Sequence, residues 1–225
     1  MGISLSAAQL QQFETYYRTL IDWNRKINLT GITARDEVIT KHFLDSLSCL
    51  QAIPTLPQRV VDVGSGPGLP GLALKIARPH IQLTLVEATG KKVAFLQQVL
   101  SLLALNDITV LHSRAETAGR DPAHRAQYQL AVARAVAPLR VLAEYMLPLL
   151  QVRGLMLAQK GTDPSVEVAA AANALGILGG RHRQTLPVSV PNLNAARHLV
   201  LIEKTRPTPR AYPRKPGLPA KKPIM

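Results

Sequence analysis

The stretch VVDVGSGPGLPGL, residues 60–72, constrains this chain more than any other. An apolar run of strand formers stops at alternating glycines, the pattern of a buried strand that turns tightly into a helix. Two spacings overlap in it. From Gly66 it reads Gly-x-Gly-x-x-Gly (Gly66, Gly68, Gly71); from Asp62 it reads Asp-x-Gly-x-Gly-x-Gly (Asp62, Gly64, Gly66, Gly68). Both put a ligand at the carboxyl edge of an open α/β sheet, where glycines let backbone amides approach it closely.

From Arg59 onward, short β-rich runs alternate with helical patterns. The candidate strands are RVVDV (59–63), QLTLVE (82–87), ITVLH (108–112), QLAVA (129–133), GLMLAQ (154–159), a weak RQTLPV (183–188) and HLVLIEK (198–204). Helices are expected to begin near Pro70, Lys91, Pro138 and Asp163, with a shorter one near Arg114. Such alternation predicts a parallel sheet covered by helices on both faces. Near the C-terminus two strands follow each other without a long helix, which predicts a hairpin whose last strand runs antiparallel to the rest. The expected fold is therefore α/β, a doubly wound seven-stranded sheet of the Rossmann-like class I methyltransferase type. A plain dinucleotide fold has six parallel strands.

Two amphipathic helices, over about residues 6–28 and 36–52, precede the sheet and form an expected N-terminal helical cap over 1–57. Residues 58–205 are then the ligand-binding domain. Residues 206–225 are a basic, proline-rich tail with six prolines and no acid, a composition that disfavours regular structure. The N-terminus lacks the basic start and apolar run of a signal peptide. Gly2 and Ser6 fit a loose myristoylation pattern, outweighed by an ordinary start before a helix cap. No apolar stretch is long enough for a membrane span. The single cysteine, Cys49, excludes an internal disulfide framework and a multi-thiolate zinc site, so no metal is expected. It suits a reducing compartment, most simply the cytoplasm.

The formal net charge is +13, from 27 basic and 14 acidic residues, which calls for a polyanionic partner. Three Phe and one Trp are too few for a broad base-stacking platform. The sequence carries no signal for oligomeric state.

The flanks of the glycine run favour one of its two readings. Asp62 sits at the strand end, and Pro67 and Pro70 interrupt the run, so the helix is expected to start at Pro70, beyond Gly68. A carboxylate there suits S-adenosylmethionine, with its ammonium and sulfonium, and would repel a pyrophosphate. Glu87, ending the second strand, is expected to bind two ribose hydroxyls and fits either cofactor. A nicotinamide-dependent oxidoreductase is the alternative on this motif, and a non-catalytic RNA-binding protein is the alternative on charge.

An ordered set of segments carries a closer likeness. WNRKINLT (23–30), HFLDSL (42–47), DVGSGPGLPGL (62–72), EATGKKVAFL (87–96), SRAE (113–116), ARAVAPL (133–139), QKG (159–161), RHLVLIEK (197–204) and YPRKPGLPAKKPI (212–224) span nearly the whole chain. With these the sequence resembles the bacterial small-subunit (16S) ribosomal RNA guanine-N7 methyltransferases, the glucose-inhibited division protein B family. Gly90 stands where a basic or polar side chain is common.

The resemblance implies S-adenosylmethionine as cofactor and small-subunit ribosomal RNA, or the ribosomal subunit, as partner. Gly64, Gly66 and their neighbours would contact the methionine part, with Asp62 shaping the loop and Leu69 closing over it. Ala88, Thr89 and Gly90 would flank the adenosine beside Glu87, with Ala115 and Glu116 at the adenine edge. Arg134, alone readable as a surface ion-pair residue, would line the same pocket. Asn28, beside Trp23 and Asn24, and the pair His42 and Asp45 read either as a helix-packing polar network or as residues holding the target base. Lys160 and Arg197 read as phosphate contacts or as solvated charges. Lys91 and Lys92 read as a surface pair at a helix start.

Absent motifs narrow the reaction. The Asp/Asn-Pro-Pro-aromatic motif that polarises an exocyclic amine is missing after the fourth strand, where ARAVAPL stands. Cys49, the only thiol, lies in the helical cap and reads as a small packed side chain, not as the nucleophile a pyrimidine-carbon methylation needs. Guanine N7 needs neither device: its lone pair is free, it bears no proton, and no general base is expected. The tail, with seven cations from Lys204 onward, is expected to be extended and to track phosphates without reading bases. It reads alternatively as solvated, or as docked back on the domain through YPRKPG.

Overall fold

The computed structural model describes residues 2–225. Helix α1 (Ala7–Asn24) opens with a capping box: Ser6 Oγ accepts from Gln9 N, and Gln9 Oε1 accepts from Ser6 N. It ends at Asn24, whose side chain closes the following turn by accepting from Leu29 N and Thr30 N. The second helical stretch changes pitch along its length. It runs through α2 (Arg35–Val38), a π-helical segment at Ile39–Leu44, α3 (Asp45–Leu47) and a 3₁₀ turn at Ser48–Gln51. Single π turns of this kind recur at functional sites.

The sheet follows: β1 (Arg59–Val63), α4 (Gly71–Ala77), β2 (Gln82–Glu87), α5 (Gly90–Leu103), β3 (Ile108–His112), α6 (Ala115–Ala118), β4 (Tyr128–Arg134), α7 (Leu139–Met146), β5 (Leu150–Lys160), α8 (Ser165–Ala170), α9 (Ala172–Leu178), β6 (Gly180–Val188) and β7 (Arg197–Lys204). All seven expected strands form, in the order β3-β2-β1-β4-β5-β7-β6, with β7 antiparallel to both neighbours. That is a Rossmann-like methyltransferase sheet.

Parallel register aligns the carboxyl ends. Val63 pairs with Val86, Glu87 with His112, and Arg134 with Gln159. Because β7 is reversed, its first residues lie at the same edge, Lys160 pairing with His198. One rim thus collects the carboxyl ends of β1–β6 and the start of β7, Val188 of β6 pairing with Arg197. Alternate residues of the strands feed two cores. Val60, Leu83, Leu130, Leu157 and Leu201 pack with α4, α5 and the N-terminal helices; Val61, Val86, Ala131, Met156 and Ile202 pack with α7 and α9.

The tail departs from its composition. It packs on the sheet domain, ends in helix α10 (Leu218–Lys221), and contributes Tyr212 and Ile224 to the second core. Prolines fix its turns while arginines of the domain satisfy its carbonyls: Arg125 donates to Thr208 O and Tyr212 O, both at 2.8 Å.

Candidate active site

At the rim, β1 runs into a turn held by two carboxylates, Asp62 of β1 and Glu87 of β2. Gly64, Gly66 and Gly68 have φ of +70°, +57° and +96°, left-handed values that a Cβ disfavours. A side chain at 64 would also collide with Val136, 2.9 Å from the Cβ position. Glu87 holds the turn: Gly66 N donates to its Oε2 at 2.9 Å and Thr89 N to its Oε1 at 2.7 Å. Asp62 lies beneath, fully buried, its Oδ2 accepting from Gly71 N at 2.8 Å while Oδ1 has no partner. Burial pushes its carboxyl up to about 7, against the pull of Gly71 N–H and Arg134, with Glu87 adding to the rise. From the other side Tyr16 of α1 donates to Pro67 O at 2.5 Å, so the helical cap braces the same turn.

A cavity of about 250 Å³ opens above it, lined by Gly64, Glu87, Ala88, Ala115, Glu116, Val136 and, from the tail, Ala220. Glu116 is buried and its Oε1 accepts from Gly217 N at 2.7 Å. The loop's Ser65 Oγ is buried without a partner.

A second cavity of about 400 Å³ adjoins it across the segment Arg134–Ala137: Arg134 and Ala135 line this one, Val136 and Ala137 the first. Lys41, His42, Asp45, Gln159, Lys160, Gly161 and Arg197 complete the lining. Asp45, its side chain 5% exposed, bridges two guanidiniums: Arg134 Nη1 reaches Oδ2 at 3.1 Å and Arg197 Nε reaches Oδ1 at 2.8 Å. Arg134 also donates to Lys41 O at 3.1 Å and His42 O at 3.4 Å, carbonyls of the π segment. His42 Nε2 lies 2.7 Å from Thr30 Oγ1. Burial, then Arg134, pushes His42 down to about 4, so its ring is neutral at pH 7. Lys160 pairs with Glu167 and donates to Ala137 O.

The structure brings most of the sequence-predicted residues to this rim but separates them into two groups. Gly64, Glu87, Ala88, Ala115 and Glu116 line the first cavity, and Gly66, Thr89 and Gly90 flank it through the turn and the start of α5. Arg134, expected in that cavity, lines the second instead, because its side chain turns toward the π segment. Leu69 lines neither: its side chain is buried in the first core. Asn28 is exposed beyond the end of α1, and the neighbouring Asn24 closes the turn in its place. Lys91 is exposed at the start of α5. Sequence reasoning missed Gln159, which donates to Asp45 O at 2.7 Å and keeps a buried, unpaired Oε1. The QKG segment at a strand end was its signal. Tyr145 and Ala220, also in the first cavity, had none.

A family model described as rRNA small subunit methyltransferase G (GidB) matches residues 9–200. The chain belongs to this family. Among the relatives of the rRNA small subunit methyltransferase G family, the Roseiflexus sp. (strain RS-1) protein is 49% identical over 223 residues, covering 99% of this chain and 95% of its own. That of Chloroflexus aggregans (strain MD-66 / DSM 9485) is 50% identical, covering 99% and 93%. Both carry the name ribosomal RNA small subunit methyltransferase G. Among solved structures, a mutant of MtNAS in complex with S-adenosylmethionine aligns with a TM-score of 0.57 at 17% identity, over 88% of this chain and 72% of that one. At that identity the likeness is one of fold. Among the described residues no helix is long and apolar enough to cross a membrane.

Proposed function

We propose that this member of the family methylates ring nitrogen N7 of a guanine in small-subunit (16S) ribosomal RNA, in the cytoplasm, with S-adenosylmethionine as donor. The observation that carries the reading is the shared wall: a glycine-and-carboxylate cavity and a cationic cavity meet across Arg134–Ala137 at one sheet edge.

The first cavity fits the cofactor chemically. Left-handed glycines expose the loop backbone, and Ser65 Oγ is an unused hydrogen-bonding group. Each Glu87 oxygen accepts one amide, and a carboxylate has about four lone-pair sites, so room remains for two ribose hydroxyls. Ala88, Thr89 and Gly90 border the sugar, with Ala115 and Glu116 toward the base. Gly64 and Gly66 would hold the methionine part. Bound there, S-adenosylmethionine supplies an electrophilic methyl on a sulfonium.

The second cavity fits an RNA nucleotide. Lys41, Arg134, Lys160 and Arg197 outnumber Asp45 among its charged groups. Both Asp45 oxygens are engaged by guanidiniums, and His42, pushed down to about 4 by burial, is neutral at pH 7. Guanine N7 has no proton to lose, so this chain's task is to hold the base against the first cavity. Proximity and orientation of that kind are worth up to about 7–11 kcal/mol. Asp45, with Arg134 and Arg197, fixes the π segment carrying Lys41 and His42. Asn28, exposed beyond the cap, belongs to the RNA-facing surface in this reading.

Differential binding is the test. S-adenosylhomocysteine at about a hundred times its dissociation constant stabilises the native state by about 2.7 kcal/mol and raises the melting temperature. NAD leaves it unchanged. Stabilisation by NAD and not by S-adenosylhomocysteine overturns the assignment.

A further inference from the structure

The chain after Lys204 is fastened at separated points. Arg120 donates to Pro213 O at 2.6 Å. Arg214 forms a forked pair with Glu144, a side chain 1% exposed: Nη2 meets Oε2 at 2.6 Å, Nε meets Oε1 at 2.9 Å, and the Arg214 backbone N–H adds 2.7 Å to Oε1. Such forked, charge-assisted pairs hold geometry well. They dock the segment on α7, the helix whose Tyr145 lines the first cavity. The turn at Gly217, with φ of +80°, then aims its N–H at Glu116, and α10 carries Ala220 to the cavity wall.

We propose that residues 217–220 form the outer wall of the adenine end of the cofactor cavity, so that cofactor affinity and selectivity at the base depend on the C-terminal segment. This rests on the S-adenosylmethionine reading of that cavity. A carboxylate only accepts hydrogen bonds. Gly217 N–H occupies Glu116 Oε1 and fixes the side-chain plane; no other hydrogen bond to Glu116 forms among the described residues. Oε2 remains for a donor on the ligand, and on adenine that donor is the exocyclic amine. A purine with a carbonyl at that position would present an oxygen to an oxygen. Ala220, small and beside Glu116, sets how much bulk the amine can carry. Ligand and tail therefore stabilise each other, since each covers surface the other needs.

The test compares the full chain with a chain ending at Pro216, which keeps the Arg214–Glu144 pair. Dissociation constants are measured by calorimetry for S-adenosylhomocysteine, 5′-methylthioadenosine and an N6-benzyl derivative of S-adenosylhomocysteine. Truncation is expected to weaken the first two by the same factor, about tenfold, because the loss lies at the adenosine they share. The full chain is expected to bind the N6-benzyl ligand at least about tenfold worse than the parent, a preference the truncated chain loses. Gly217→Ala, strained at positive φ but with open space around its Cβ, is a second variant that keeps the rest of the tail. It is expected to weaken S-adenosylhomocysteine at an almost unchanged melting temperature. An unchanged N6 preference after truncation, or unchanged affinities in both variants, overturns the proposal. A full chain that binds none of the three ligands overturns the cofactor reading itself.

Discussion

Asp45 Oδ1 and Arg197 Nε lie 2.8 Å apart although 152 positions separate them, and Arg134 meets the other oxygen of the same carboxylate. The helical cap, the end of β4 and the start of β7 are thus locked together by one acid. Removing one partner of a buried ion pair leaves the other charges uncompensated, at about 3–5 kcal/mol. We expect Asp45→Ala to lose about 3 kcal/mol of unfolding free energy, less than Arg197→Ala only if the bridge is decorative. Urea denaturation decides it: a loss below about 1 kcal/mol for Asp45→Ala means the bridge contributes no more than an exposed pair.

Glu87 accepts from Gly66 and Thr89 and keeps capacity for ribose hydroxyls. Glu87→Ala is expected to weaken S-adenosylhomocysteine by about 1.5–3 kcal/mol, the range for hydrogen bonds to a charged group. Calorimetry showing an unchanged dissociation constant removes Glu87 from the site.

Asp62 supplies a pH dependence with a defined sign. Its carboxyl rises from an ordinary 3.8 to about 7 in the fold, so between these values the native state holds a proton that the unfolded chain has released. Stability from this group is therefore present below about pH 4 and lost as pH rises toward 7. Relative to Asp62→Asn, whose side chain does not titrate, the wild type should become progressively less stable across that window. A gap that stays constant, or moves the other way, means the carboxyl is ionised in the fold.

The sheet was legible because each strand announced itself by composition, and reversal of β7 followed from the missing helix before it. Glycine spacing, Asp62 and Glu87 were legible because they sit at strand ends. What escaped depends on side-chain direction. Leu69 and Arg134 occupy the right positions in the chain, yet one packs inward and the other reaches across to the π segment. The tail's composition favoured an extended segment, and its alternative reading, docking through YPRKPG, is the one that forms, because Glu144 and Glu116 are acids of the domain far away in sequence. Of the seven cations from Lys204 onward, Lys204 is buried and Arg214 is paired, leaving fewer to face RNA than counting residues implied.

Cys49 is 1% exposed, and burial raises its thiol well above the usual range. Cys49→Ala is expected to cost about 1–2 kcal/mol of stability and leave methyl transfer largely intact. A covalent protein–RNA adduct trapped through this thiol would contradict the N7 chemistry.

The most direct measurement incubates the purified protein with S-adenosylmethionine labelled in its methyl group and small ribosomal subunits from cells lacking the protein, then digests the RNA to nucleosides for mass spectrometry. The label should appear in 7-methylguanosine, at one site that becomes cleavable by aniline after borohydride reduction. Label in a pyrimidine, in N6 of adenine or in the exocyclic amine of guanine would contradict it, as would no transfer at all.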